Sequence, residues 1–292
     1  MRRRQETAGP SATRYPIMMG LIGMFLSATL FTSACGSGAT AENDQSSNAS
    51  SSASSKSGTS SASASGSSST ASASQGNLPQ GGETVKLDPA DFTTNIDNPY
   101  WPMSPGDKWI YRETDEGSKM RVEVTVTDKT RKIANGVEAR VVHDVVTEDG
   151  QPVEVTDDYY AQDKDGTIWY MGEDTAEYEN GKVTTREGSF EAGKDGAQAG
   201  VIMPANPRDG MIFRQEYLKG EAEDEGEILS TNEQVQAPFG YYKGALLTRD
   251  TTPLEPKVTE YKLYAKDVGP VLVVQTSGGS GREELTDFTH GG

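Results

Sequence analysis

Val122-Glu-Val124-Thr-Val126-Thr127 alternates strictly between apolar and polar residues, placing three Val on one face and Glu123, Thr125 and Thr127 on the other. A side-chain period of two is the mark of a β-strand with one buried face. Beyond it, Asn135-Gly136, Asp149-Gly150, Asp165-Gly166 and Asn180-Gly181 follow one another at intervals of about fifteen residues. Asn-Gly and Asp-Gly tolerate the positive φ of tight hairpin turns, so each pair marks a chain reversal. Four reversals in succession describe an antiparallel meander.

Further strands are expected over 211–218, 225–230, 241–248, 258–265, 268–275 and 282–288. Within 258–265, Tyr261, Leu263 and Ala265 alternate with Glu260, Lys262 and Tyr264. By contrast, Ile168-Trp-Tyr-Met171 and Val271-Leu-Val-Val274 are apolar on both faces, as in central strands or a barrel wall. Asp88-Pro89-Ala-Asp91 has the cap-then-proline start of one short helix. No segment sustains an amphipathic helical stripe over three turns. The fold class is therefore all-β, an antiparallel meander closing into a barrel-like or sandwich domain over 88–290.

What precedes that domain is of another kind. Arg2, Arg3, Arg4 and Arg14 form a basic head, and an apolar run from Ile17 to Phe31 follows. This is the plan of a secretory signal, shorter than the ~20 apolar residues a membrane span takes. The run ends Thr32-Ser33-Ala34-Cys35-Gly36, which resembles a bacterial lipobox: Cys35, the chain's only Cys, is lipidated on sulfur and, with cleavage after Ala34, becomes the new N-terminus. Thr32 departs from the aliphatic residue usual there, and Thr32-x-Ala34 also fits ordinary signal cleavage, with release as a soluble protein. Two acyl chains on Cys35 (palmitate-type lipid) would suffice for stable anchoring, where one myristoyl chain is marginal. The expected location is the extracytoplasmic face of the cell membrane.

Residues 36–76 hold 18 Ser among 41 positions and no Val, Ile, Leu, Met, Phe, Trp or Tyr. Nothing there offsets the entropy of ordering a backbone, so 35–87 reads as a lipidated Cys followed by a disordered tether. About 50 Ser/Gly/Ala-rich residues span roughly 40 Å as a coil.

The chain has 27 Lys+Arg against 44 Asp+Glu, a formal net charge of −17. Phosphate binding needs clustered cations, so a nucleic-acid partner is not expected. Removing residues 1–34 takes away four Arg and one Glu, leaving a surface still less able to hold anionic headgroups unaided. One Cys and two His exclude a disulfide framework and a Cys- or His-rich metal centre, and no cofactor motif is present.

The segment Asn98-Pro-Tyr-Trp-Pro-Met-Ser-Pro-Gly-Asp-Lys-Trp-Ile-Tyr111 resembles the N-P-[YF]-[WF]-P-x-x-P-G-x-x-W-x-Y entry of an uncharacterised family of bacterial, actinobacterial-type lipoproteins and secreted proteins. Tyr160–Tyr170, Met203–Pro207, Arg214-Gln-Glu-Tyr217 and Thr252–Pro256 extend the likeness. It implies export and a β domain, without an activity to carry over.

Several residue groups have chemistry that could serve a site. Tyr100, Trp101, Trp109 and Tyr111 on a Pro-stiffened segment offer a stacking surface for sugar or peptide, or else fill the first strand's inner face. Asp163-Lys-Asp-Gly166 fails the EF-hand pattern and reads as a hairpin turn. The run Glu221–Glu227 reads as a solvated loop with, at most, weak Ca²⁺ affinity. His143 shares parity with Val141 and Val145, as a half-buried His with a hydrogen-bond partner. Asp157 and Asp158 fall on opposite strand faces. No nucleophile elbow, metalloprotease motif or phosphate loop occurs. The reading is thus a non-enzymatic domain binding an envelope component, small ligand or partner protein. The alternative is a carbohydrate-active or other hydrolase using acidic residues.

Overall fold

The computed structural model describes residues 78–291. The signal segment 1–34, Ala34, Cys35 and most of the tether lie outside the described residues. The strands, in chain order, are β1 (Phe92–Thr93), β2 (Lys108–Asp115), β3 (Ser118–Lys132), β4 (Glu138–Glu148), β5 (Gln151–Asp163), β6 (Ile168–Glu179), β7 (Lys182–Thr185) and β8 (Phe190–Glu191). They continue with β9 (Gln198–Met203), β10 (Ile212–Arg214), β11 (Glu216–Tyr217), β12 (Glu225–Ala237), β13 (Gly240–Thr251), β14 (Thr259–Ala265), β15 (Gly269–Ser277) and β16 (Arg282–Thr289). A 3₁₀ turn at Pro89–Asp91, capped by the Asp88 side chain, is the expected short helix.

All sixteen strands join one antiparallel sheet, ordered β10-β12-β13-β14-β15-β16-β2-β3-β4-β5-β6-β9-β11, with β1 on β5 and both β7 and β8 on β6. The two ends of that path, β10 and β11, are separated in the chain by Gln215 alone. The sheet therefore curls until its edges meet, giving a nearly closed barrel and not a sandwich. Gly200 on β9 is required at this seam: a Cβ there would stand 2.0 Å from the Gln215 carbonyl oxygen.

Arg214 ties the seam together. It is 1% exposed. Its Nε and Nη2 donate to the Ala199 carbonyl at 3.2 and 2.9 Å, and Nη1 donates to the Gly81 and Glu83 carbonyls at 2.6 Å each. Its backbone N–H donates to the Pro79 carbonyl. Leu78, Val85 and Leu87 pack against the core. The packed chain thus includes 78–87, ahead of the Asp88 boundary expected from the sequence.

The four Gly-containing pairs all sit at reversals of the meander β3 to β7. Asp149 (φ 50°) with Gly150 (φ 77°) and Asn180 (φ 52°) with Gly181 (φ 74°) form two-residue turns with both residues left-handed, matching the strand twist. Val122, Val124 and Val126 are buried as their alternation requires.

Candidate functional site: an acidic barrel interior

The entry-segment aromatics do not form a binding surface. Tyr100, Trp101, Trp109 and Tyr111 are all buried, at 6% exposure or less. Asn98 fixes the segment: its Nδ2 donates to the Gly166 and Pro204 carbonyls, while its Oδ1 accepts from the Tyr100 N–H. Trp101 then sits 5.8 Å, centroid to centroid, from both Tyr160 and Tyr264. Trp109 Nε1 donates to the Val268 carbonyl at 2.7 Å and Tyr111 Oη to Pro270 at 3.0 Å. With polar tips satisfied internally, these rings are core.

The unexpected feature is what shares the interior with them. Residues paired across strands point to the same side of a sheet, so the register defines inward rows. One row runs Thr248, Lys262, Val273, Glu283, Glu113, Met120 across β13, β14, β15, β16, β2 and β3. A second holds Tyr111, Val122, Val146, Glu154 and Glu177. A third holds Trp109, Val124, Asp144, Thr156 and Thr175, and a fourth Val126, Val142, Asp158 and Glu173. Glu113, Asp144, Glu154, Asp158, Glu173 and Glu283 are each less than 9% exposed. Lys262 is the one base in these four rows, and it is spent on Asp250 (3.0 Å) and Glu260 (3.1 Å).

Crowded and dry, these acids resist ionisation. Burial, then the charge of Glu154, pushes Glu113 up to about 8. Burial, then Glu177, lifts Glu154 to about 8. Burial raises Asp158 to about 7 despite the 2.6 Å hydrogen bond it accepts from Tyr170 Oη. Asp144, Glu173, Glu216 and Glu283 lie well above the ordinary carboxylate range, again chiefly through burial. Glu283 feels Glu113, Asp144 and Glu260, groups on β2, β4 and β14, so the acids of separate walls converge on one space. Several oxygens there have no hydrogen-bond partner in the protein: Glu113 Oε2, Asp144 Oδ1, Glu173 Oε1, Glu283 Oε1 and both oxygens of Glu216. Buried polar atoms are rarely left so. The arrangement can hold protons near neutral pH and exchange them for an approaching cation.

Glu216 also lines a cavity of about 380 Å³ at the seam, with Tyr217, Asp224, Thr252, Pro253 and Pro256 among its walls. Burial raises Asp224 to about 7, and the charge of Asp224 adds to the burial that raises Glu216. Among the described residues, no group of three or more His, Cys, Asp or Glu could hold a metal ion.

Other candidates resolve simply. His143 Nδ1 lies 2.7 Å from Asp157 Oδ1 on the outer face, while Asp158 points inward. Asp163 Oδ1 accepts from the N–H groups of Asp165 and Thr167, and Oδ2 from Trp169 Nε1, so its carboxylate is consumed by the hairpin. From the run Glu221–Glu227, residues 223–225 reach the seam cavity. Sequence reasoning missed Glu113, Asp144, Glu154, Glu173, Glu216 and Glu283. The signal available was parity: Asp144 and Glu154 each fall in register with the Val face of β3.

No family model matches the chain, and no curated protein does. Two solved structures are similar over 65% of this chain. One is a Bacteroides fragilis protein assigned as exported, with a YmcC-like fold (13% identity, TM-score 0.39, 99% of that chain covered). The other is a Parabacteroides distasonis protein assigned as a lipoprotein (14% identity, TM-score 0.36, 98% covered).

Proposed function

We propose that the chain is an exported lipoprotein whose barrel is a ligand-binding module, held outside the cytoplasmic membrane by lipid on Cys35 and a Ser-rich tether. One observation carries the binding reading: inward carboxylates from separate walls keep oxygens that no protein group satisfies. A barrel needing only stability is better served by apolar filling, since a buried polar group left without a partner costs free energy that an apolar one does not. A small, positively charged envelope ligand supplies the pairing that the protein withholds. The lipobox around Cys35 and the acidic surface, which cannot hold a membrane alone, support the anchor.

The test is native mass spectrometry on the full chain, produced in a bacterium that processes lipoproteins. A reproducible extra mass, released by denaturation and separate from the lipid, is expected. A bare mass overturns the binding reading. For the anchor, Cys35→Ala is expected to shift the protein from membrane to soluble fractions or to stall processing. Normal processing with continued membrane association overturns it.

A further inference from the structure

Among the described residues four large apolar side chains stand exposed, and two of them, Phe239 at 40% and Tyr241 at 53%, share the hairpin tip between β12 and β13. The tip is prepared for a dry neighbour. Pro238 has no N–H to satisfy. Gln236 Nε2 donates to the Ala237 and Gly240 carbonyls at 2.9 and 3.2 Å, and the Phe239 N–H donates to the Leu285 carbonyl at 3.0 Å. Backbone groups without partners are penalised in an apolar medium, and for these groups the protein supplies the partners itself. The Phe239 ring stands edge-on to Phe288, 6.5 Å between centroids, and Phe288 stacks on buried Trp109 at 5.1 Å. The tip is thus held against the core. Tyr241 Oη bonds to Gln234, and the exposed Lys243 places its Nζ 6.0 Å from the centre of the Tyr241 ring.

Resting on the lipid anchor proposed above, we infer that the β12–β13 tip is a membrane-contact surface: Pro238 and Phe239 enter the interfacial layer of the bilayer, Tyr241 lies at headgroup level and Lys243 meets lipid phosphate. Tyr suits that level because its ring is apolar and its hydroxyl is wet. A lysine stem lies along apolar surface while its ammonium stays in water. A bilayer fits better than a protein partner because the patch is only two rings and a proline, far short of the ~800 Å² a side that a stable protein interface takes. So small a contact persists only where a tether keeps the effective concentration high. The geometry permits it. β12 is 13 residues long, about 40 Å, and runs from Glu225, opposite Arg214 at the seam, to Ala237. The tip is therefore at the barrel end away from Pro79, which meets the Arg214 N–H. The roughly 40 residues from Gly36 to Asn77 span about 35 Å as a coil and several times that when drawn out, so the barrel can stand on its tip. A net charge of −17 gives no long-range attraction to lipid, so the contact is apolar and does not need anionic headgroups.

The experiment mixes the full chain, made in a bacterium that processes lipoproteins, with phosphatidylcholine vesicles whose acyl chains carry bromine, a contact quencher of Trp emission. Trp101, Trp109 and Trp169 are buried and supply a constant background. Phe239→Trp and, separately, Tyr241→Trp place a reporter in the tip, two variants guarding against one that disturbs the turn. Val183→Trp places a reporter at an exposed position of β7, at the barrel's other end. Both tip reporters are expected to lose emission relative to unbrominated vesicles, by at least about twice any loss from Val183→Trp. No loss at the tip overturns the inference, as does an equal loss at both ends. Tip reporters that stay bright beside bromine yet are quenched by aqueous iodide overturn the bilayer as occupant and leave the tip to a protein. Intact mass reads the lipid on Cys35 separately. A lipidated chain without tip quenching sinks this inference and leaves the anchor standing. Tip quenching in a chain without lipid sinks the anchor and leaves the contact.

Discussion

The outer and inner faces of one sheet treat the same residue type in opposite ways. Outside, Glu284 on β16 receives Arg112 at 2.6 Å and Arg282 at 2.7 Å, and Glu123 on β3 receives Lys108 and Arg121. Despite some loss of water, these cations hold both carboxyls below the usual value. Inside, Glu283, one residue before Glu284, has no base hydrogen-bonded to it and sits well above that value. Neighbours in sequence differ because strand parity sends one to water and cations and the other to a crowded, dry space. The lesson is that acidity here is an assignment of face, not of residue.

Lys262→Met would break the comparison hardest, because it removes the one base of the four inward rows. Asp250 and Glu260 would lose their shared partner, at a cost of roughly 3–5 kcal/mol at neutral pH. Denaturant unfolding should show that loss shrinking toward pH 5, where Glu260, its carboxyl raised above the ordinary value by burial, can take up a proton. A loss that is independent of pH would mean Lys262 matters for packing alone.

The pH profile comes next in size. Interior carboxyls with folded values near 8, against a reference of 4.5, bind protons in the folded chain that the unfolded chain has released. Their contribution is complete below about pH 4.5 and is lost as pH rises through about 8, each tenfold difference in proton affinity between folded and unfolded chain being worth about 1.4 kcal/mol. Outer carboxyls with lowered values act in the reverse sense, losing their smaller contribution as pH falls through those values. Stability should therefore peak near pH 5 and decline toward pH 8. Glu154→Gln should recover on the order of 2 kcal/mol at pH 8 and almost nothing at pH 5. A profile that is flat between pH 5 and 8 would show that the interior acids are not held neutral.

The smallest effect belongs to the outer face. Arg112 is 55% exposed in its pair with Glu284, so Arg112→Gln should cost about 0–0.5 kcal/mol and less at high salt. A cost above about 1 kcal/mol that salt does not reduce would blur the distinction between faces.

Turn chemistry made much of the fold legible, because the demand of a two-residue hairpin for left-handed residues is local and visible as Asp-Gly or Asn-Gly. The β2–β3 reversal at Glu116-Gly117, with φ of 45° and 95°, is the same geometry under a residue pair that signals it poorly. The interior was not legible for a physical reason. In β5, Val153 and Val155 are only half-buried, whereas Glu154, Thr156 and Asp158 face the core. Hydrophobic alternation finds the two faces of a strand, but its usual rule of apolar-inward picks the wrong one here. In β14 it is likewise Lys262 and Tyr264, not Tyr261 and Leu263, that are buried. The seam stands in the sequence as Arg214-Gln-Glu-Tyr217, yet its role depends on β9 and on 78–87, which no local pattern connects to it.

The pairing of β16 with β2, Phe288 opposite Trp109 and Leu285 opposite Tyr111, has a consequence for the order of events in folding. The hairpins from β3 to β6 are local and can form as soon as they exist, on the microsecond scale of such elements. β2 has β3 on one side, but its other edge waits for the last strand of the domain. That contact closes a loop of about 170 residues, an entropic expense met before any closure contact repays it. Until β16 arrives, β2 and β15 each present an open edge to other chains. A ribosome delivering this protein from its N-terminus therefore delivers an open sheet first. It becomes a barrel only when the final strand is through.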